Sequence, residues 1–316
     1  MKKILLIIPL VTLGIVLKAQ QEPLFTMYMH NVPALDPAAA GVSGTVCGSF
    51  FGRDQWMGFK DQEGDRVNPQ TYGITLDMPV YAIKSGVGLT VAYDKLGFEK
   101  NLDIKVLYAY HYVFPNNSML SAGLSFGILN KTIDFSKLHP SGEDPSITSY
   151  SIEKGTLTDF GFGVHYNIPR KLYAGLSVKN LLGSSAEIGG PDFKLARHYY
   201  LFGGYDIILI DRRLRHLVLT PGALIKATKG AIQADLNAIV SYNNLVWGGI
   251  VYRTTSVAGL MAGVRYNGLM VGLAYDYTLN NDFAKGSRGS LEVIVKYCYP
   301  IYPGVIKKSG YNTRNL

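Results

Sequence analysis

Charge is scarce in this 316-residue chain: Asp, Glu, Lys and Arg make up 17% of it, against roughly 25% in an ordinary soluble domain. Histidine occurs six times, at His30, His111, His139, His165, His198 and His216. None stands at metal-ligand spacing to another or to a cysteine. A Gly-rich phosphate loop, a nucleophile elbow and a zinc-protease motif are all missing. The sequence therefore reads as non-enzymatic, with no catalytic, cofactor or metal residues to assign. No sustained basic stripe accompanies the net charge of +8, because the basic residues are scattered among acids. That excludes nucleic acid as a partner. Beyond the first twenty residues no run of about eighteen apolar residues occurs, which excludes a transmembrane helix. Cysteine appears twice, at Cys47 and Cys298.

What is present begins with a leader. Lys2 and Lys3 precede the apolar stretch from Ile4 to Leu17, and Ala19 offers a small residue before Gln20 and Gln21. Residues 1–20 thus read as a signal peptide cleaved near Ala19 or Gln20. No cysteine follows the cleavage point to carry a lipid anchor.

The remainder alternates with a period of two. Tyr72, Ile74, Leu76 and Met78 form an apolar face against Thr71, Gly73, Thr75 and Asp77. Leu102, Ile104, Val106, Tyr108, Tyr110 and Tyr112 do the same against Asp103, Lys105, Ala109 and His111. Similar alternation marks 87–94, 232–240, 269–277 and 291–297. Segments of about ten residues match a tilted strand crossing a bilayer, whereas soluble strands average five or six. Tyr and Phe gather at the strand ends, as amphipathic rings do at a headgroup layer. The fold class is therefore all-β: a transmembrane antiparallel barrel with short periplasmic turns and longer extracellular loops.

About fourteen strands are predicted, near 43–52, 70–79, 86–94, 101–113, 118–129, 157–167, 171–181, 196–206, 216–226, 231–241, 245–253, 257–266, 269–278 and 289–298. Tight turns at Pro115–Asn117, Asn167–Arg170, Tyr242–Asn244 and Asn267–Gly268 alternate with long links at Arg53–Asn68, Asn130–Thr156, Leu182–Leu195 and Leu279–Arg288. The connection at Asp206–Arg215 is long and basic for a turn, and a helix or short loop is expected there. The domain plan is a signal peptide at 1–20, an N-terminal periplasmic or plug segment at 21–41, a barrel at 42–298 and a basic periplasmic tail at 299–316.

Polar residues on the lumen phase, including His111, His165, Asp103 and Asp159, read as lumen filling. Asp235, Arg265, Asp276, Glu292 and Lys296 are expected to pair across strands. Cys47 and Cys298 fall on the first and last strands, but at different heights in this register. They are read as free thiols, with a seam disulfide the alternative.

Two N-terminal blocks carry a resemblance. Residues from Gln21 to Asn31 read QEPLFTMYMHN, and Asp36-Pro37-Ala38-Ala39-Ala40-Gly41 follows. Next come Arg53, Gln55, Trp56 and Gly58, with Pro69 and Thr71 downstream. Further blocks are Gln233–Asn237, Trp247-Gly248-Gly249, Tyr252-Arg253 and Ala274–Tyr277. Together they resemble the PorP/SprF family along essentially the whole mature chain. Asp36 stands where that family often has Asn, and Leu24 where a polar residue is common. The resemblance implies an outer-membrane component of the type IX secretion system of the Bacteroidetes, serving cargo export and in many members gliding. Its implied partners are outer-membrane lipid, periplasmic components of the secretion and motor machinery, and in some members a secreted adhesin cargo. Within that reading, Arg53, Gln55, Trp56, Gly58, Pro69 and Thr71 are candidates for an outer loop folding inward to plug the lumen. Lys307, Lys308 and Arg314 are candidates for periplasmic contact. A fourteen-stranded fatty-acid-type channel or a general porin is the alternative. The first needs a continuous apolar path, whereas the inward faces here read as Gly, Ser, Thr and charges.

Overall fold

The computed structural model describes residues 22–23, 25–60, 64, 66–137, 151–190, 192–212, 215–279 and 286–301. Residues 1–20 and the tail candidates Lys307, Lys308 and Arg314 lie outside them.

The strands run β1 (Thr45–Asp54), β2 (Gln70–Val80), β3 (Ser85–Leu96), β4 (Glu99–Val113), β5 (Met119–Asp134), β6 (Ile152–Ile168) and β7 (Leu172–Lys179). A two-stranded hairpin follows, β8 (Ser185–Glu187) and β9 (Asp192–Lys194). The series continues as β10 (His198–Tyr205), β11 (Ile207–Arg212), β12 (Arg215–Thr228), β13 (Ala231–Tyr242), β14 (Val246–Arg253), β15 (Val257–Tyr266), β16 (Leu269–Thr278) and β17 (Ser290–Pro300). Every pairing is antiparallel. The sheet closes because β1 pairs with β17 on one side and β2 on the other, and β10 bridges β7 and β12. Counting β10 and β11 as one interrupted strand, the barrel has fourteen. A closed barrel leaves no backbone edge in the hydrocarbon, which is why strands can cross it at all.

Burial follows the alternation. Ile74, Leu76, Ile104, Val106, Leu124, Phe126, Leu236, Leu260 and Leu273 lie exposed on the outer wall, while Thr75, Lys105, Ser125, Asp235 and Asp276 are buried inside. This inversion of a soluble protein suits a wall facing lipid. Among the described residues one end carries brief turns between strands, at 81–84, 114–118, 169–171, 243–245 and 267–268, and β11 and β12 are joined there too. Both ends of the barrel chain, near Thr45 and Pro300, meet there. The opposite end carries the long links 55–69, 135–151, 180–197 and 279–289, together with three short ones at 97–98, 229–230 and 254–256. In outer-membrane barrels the short-turn end is periplasmic.

Two expectations are corrected. Within the Asp206–Arg215 connection, Ile207–Arg212 is neither a helix nor a loop but a strand. Its run of β-branched and aliphatic residues extends the strand as β11, hydrogen-bonded to β12 with a register shift at Ile208/Ile210. The cysteines are not free: Cys47 and Cys298 form a disulfide with Cα atoms 4.1 Å apart. β1 starts two residues later than expected, at Thr45, and β17 ends two residues later, at Pro300, so each cysteine lies two residues from its strand's turn-ward end and the two sit directly opposite.

Candidate functional site

The lumen is the candidate site, and the segment before β1 occupies it. Residues 28–39 form three short 3-10 turns (Tyr28–His30, Val32–Ala34 and Pro37–Ala39), a compact path that suits Pro33 and Pro37 at their starts. Thr26, Met27, Asp36, Ala38 and Ala40 are almost completely buried. At the loop-ward side, Glu22 pairs with Lys179 at 3.2 Å. At the turn end, the Gly41 amide donates to Asp77 at 3.0 Å, and the chain then enters β1.

The barrel wall is cut to fit this segment. A Cβ on Gly123 of β5 would run into the Ala38 backbone, and one on Gly86 of β3 into the Ala40 carbonyl. These positions take glycine because another backbone approaches where a side chain would stand. Asp36 caps the third turn by accepting from the Ala38 amide at 2.9 Å, and His165 lies 3.4 Å from its other oxygen. Ser177 donates to the Leu35 carbonyl, and Asn31 donates to Thr75.

A charge cluster anchors the start of the segment. Arg53 reaches Asp276 at 2.7 Å and Glu292 at 2.8 Å, with the guanidinium 3% exposed. Glu292 also accepts from the Thr26 and Met27 amides, and the Thr26 hydroxyl donates to Asp276 at 2.6 Å. Arg253 continues the network to Asp235 at 3.1 Å, where Lys226 sits at 3.3 Å. Three cations and three carboxylates thus share one dry region, so each buried charge finds a counter-charge. Charge-assisted bonds to two backbone amides make this cluster a clamp on residues 26–27.

One inward rung nearer the turn end, on the same strands as the charges, begins an apolar bed that periodicity did not reveal. Met27 packs with Trp247, Val251, Met261, Met270, Ala274 and Ile294. Tyr28 packs with Tyr200, Phe202 and Leu224 and accepts from Asn237 at 2.8 Å. His30 lies against Trp247 with centroids 4.4 Å apart. The inward faces are therefore not only Gly, Ser, Thr and charge. The available signal was Trp247 standing on the inward phase of β14, with Met27 and Met29 in an exported segment upstream.

The motif residues separate by role. Arg53 belongs to the clamp, and Thr71 donates to Asp94 on the lumen side at 2.6 Å. Gln55 donates its amide to the Pro69 carbonyl, closing the base of the β1–β2 loop. Trp56 is half-buried at φ 54°, its amide on Ser290, and Gly58 approaches the Arg288 side chain. Met57 exchanges backbone bonds with Arg288 and Gly289, so this loop is strapped to the β16–β17 loop. Among the described residues it is the 25–41 segment that fills the lumen beside these strands. Of the charges expected to pair across strands, Asp235, Asp276 and Glu292 do so. Arg265 donates instead to Asn244, and Lys296 to the His30 carbonyl.

Comparison with known proteins adds the following. The family model described as type IX secretion system membrane protein PorP/SprF matches residues 17–297. No curated protein matches. Among solved structures, the Acinetobacter baumannii outer membrane protein Omp33 is similar at 10% identity and a TM-score of 0.46, over 81% of this chain and 99% of that one. A Pseudomonas aeruginosa FadL homologue is similar at 12% identity and a TM-score of 0.45, over 84% and 93%. The deltaS2 mutant of the TodX monoaromatic hydrocarbon channel stands at 11% and 0.48, over 87% and 95%.

Proposed function

Because the chain belongs to the PorP/SprF family of type IX secretion system membrane proteins, we propose that it is an occluded, non-enzymatic barrel that docks periplasmic parts of that apparatus or a secreted adhesin cargo. The observation that carries this reading is the filled lumen. Residues 25–41 are held by a charge clamp and, nearer the turn end of the same strands, by an apolar bed. A general porin needs a wide aqueous lumen. A fatty-acid-type channel needs an unbroken apolar path, which the Arg53–Asp276–Glu292 cluster interrupts.

Docking is assigned to the turn end. β11 is exposed on both faces, and among the described residues its outer edge has no strand partner. An unpaired edge with aliphatic side chains at Ile207, Ile208 and Leu209 suits strand addition by an extended partner segment. The last described strand ends at this end, at Pro300, and the basic residues Lys307, Lys308 and Arg314 follow it in sequence as candidate partner contacts. The strapped Trp56 loop braces the opposite end.

Two measurements test the proposal. The purified protein in a planar bilayer is expected to give no steady ohmic conductance, and a wide open channel would overturn the occluded reading. Pull-down from the native envelope is expected to recover secretion components, with less recovered after deleting residues 302–316 or introducing Leu209→Pro. Unchanged recovery with both variants, barrels still inserted, would sink docking at this end.

A further inference from the structure

The outer wall between β2 and β6 is graded along the barrel axis. In the middle, Leu89, Val106, Phe126 and Phe160 share one rung of the register. Two rungs of the same phase further toward the loop end, Tyr93, Leu102, Asn130 and Thr156 lie side by side. The next such rung outward is Lys95, Lys100, Thr132 and Lys154. Its lysines stand about 7 Å beyond the tyrosine rung, at ~3.3 Å per residue along a strand. The lipid-facing surface thus ends in a row of three ammonium groups.

Among the described residues no carboxylate pairs with that row. Glu99 and Asp94 turn to the other face, where Glu99 contacts Lys131 and Asp94 accepts from Thr71, and Asp134, on the outward phase of β5, accepts from Ser136. Among the described residues no carboxylate lies within ion-pair distance of Lys95, Lys100 or Lys154. Lys95 and Lys100 face each other directly across β3 and β4. Like charges so placed repel unless an anion sits between them. A cleft of about 360 Å³ opens at this place, lined by Tyr93, Lys100, Leu102, Asn130 and Lys154.

We infer that this cleft binds the phosphate-bearing headgroup of an outer-leaflet glycolipid of the lipid A class. The apolar rungs below take its acyl chains, Tyr93 and Asn130 lie at headgroup depth, and the lysines meet its phosphates. The position, one rung beyond the aromatic layer on the lipid-facing side, favours a membrane lipid over a free ion. At ~4.8 Å between strands, Lys95 and Lys154 are about 14 Å apart, room for two phosphates on one headgroup.

The test uses detergent-purified full-length protein, with bound lipid counted by native mass spectrometry. The probes are diphosphorylated lipid A, dephosphorylated lipid A and inorganic phosphate. The protein is expected to retain the diphosphorylated lipid, and K95Q/K100Q/K154Q to lower retention about tenfold or more. The heat-modifiable gel shift of the folded barrel should not change, and the matching triple arginine variant should keep binding. Equal retention of both lipids, or no loss in the glutamine variant, would overturn the inference. Displacement by millimolar inorganic phosphate would reduce the site to an ion site and equally remove the lipid. The readout is independent of secretion partners, so its failure is separate from a failure of the docking proposal.

Discussion

Arg53 bridges two carboxylates and the Thr26 hydroxyl at the heart of the clamp. It is buried, and both of its partners, Asp276 and Glu292, are buried with it. Removing the cation takes away the ion-pair partner of Glu292 and leaves Asp276 with the more distant Arg253 at 3.9 Å, so Arg53→Met is expected to cost about 3–5 kcal/mol. Denaturant unfolding in detergent, followed by tryptophan fluorescence, measures this, and a change under ~1 kcal/mol would show that the clamp is not what holds the fold. Arg53→Lys should recover only part, since one ammonium does not reproduce a two-pronged guanidinium contact. Gly123 makes a steric counterpart. A valine there meets the Ala38 backbone, so Gly123→Val is expected to loosen residues 25–41 at a cost of about 1–3 kcal/mol. Limited proteolysis with mass mapping should find faster cleavage within that segment, and unchanged protection would contradict the fit.

At the scale of the element, the strands were legible because lipid imposes a rule on one face only. Every second residue from Tyr72 to Met78, or from Leu102 to Tyr112, must be apolar, and that period survives in the sequence. The ends of strands obey no such rule. β5 runs on to Asp134 and β6 starts at Ile152 because hairpin pairing continues beyond the membrane. A similar shift of about two residues hid the disulfide, since register at a seam depends on both boundaries at once. The lumen contents were less legible still. Thr26 meets Asp276 across 250 positions, and such a contact leaves no local periodicity. The Arg53–Trp56 block was visible as a motif, but not that its arginine would point into the clamp while its tryptophan stayed at the rim. The disulfide itself is testable. By the chain-entropy argument, closing a loop of this size is worth on the order of 5 kcal/mol. Cys47→Ser should lower unfolding stability by up to that amount, and reductant should bring the wild type down to meet it. A wild type indifferent to reductant would mean that the bond contributes nothing to the closed barrel.

The whole molecule is an inverted solid: aliphatic and aromatic outside, ionic and mixed within, with its own N-terminal segment completing the interior. The outer membrane supplies the solvent for one surface and residues 25–41 stand in for solvent on the other, so neither surface is explained without its medium. The seam between β1 and β17 has a consequence of its own. Barrels with an uncrosslinked first and last strand can part there to let a lipid or a polypeptide slip sideways between wall and membrane. Here a covalent hoop runs from Cys47 through 251 positions to Cys298 and back across the sulfur bridge. While the bridge is intact, a chain spanning the lumen from mouth to mouth is threaded through the hoop like a cord through a ring. Such a cord leaves lengthwise, through the mouth at either end, and never through the side.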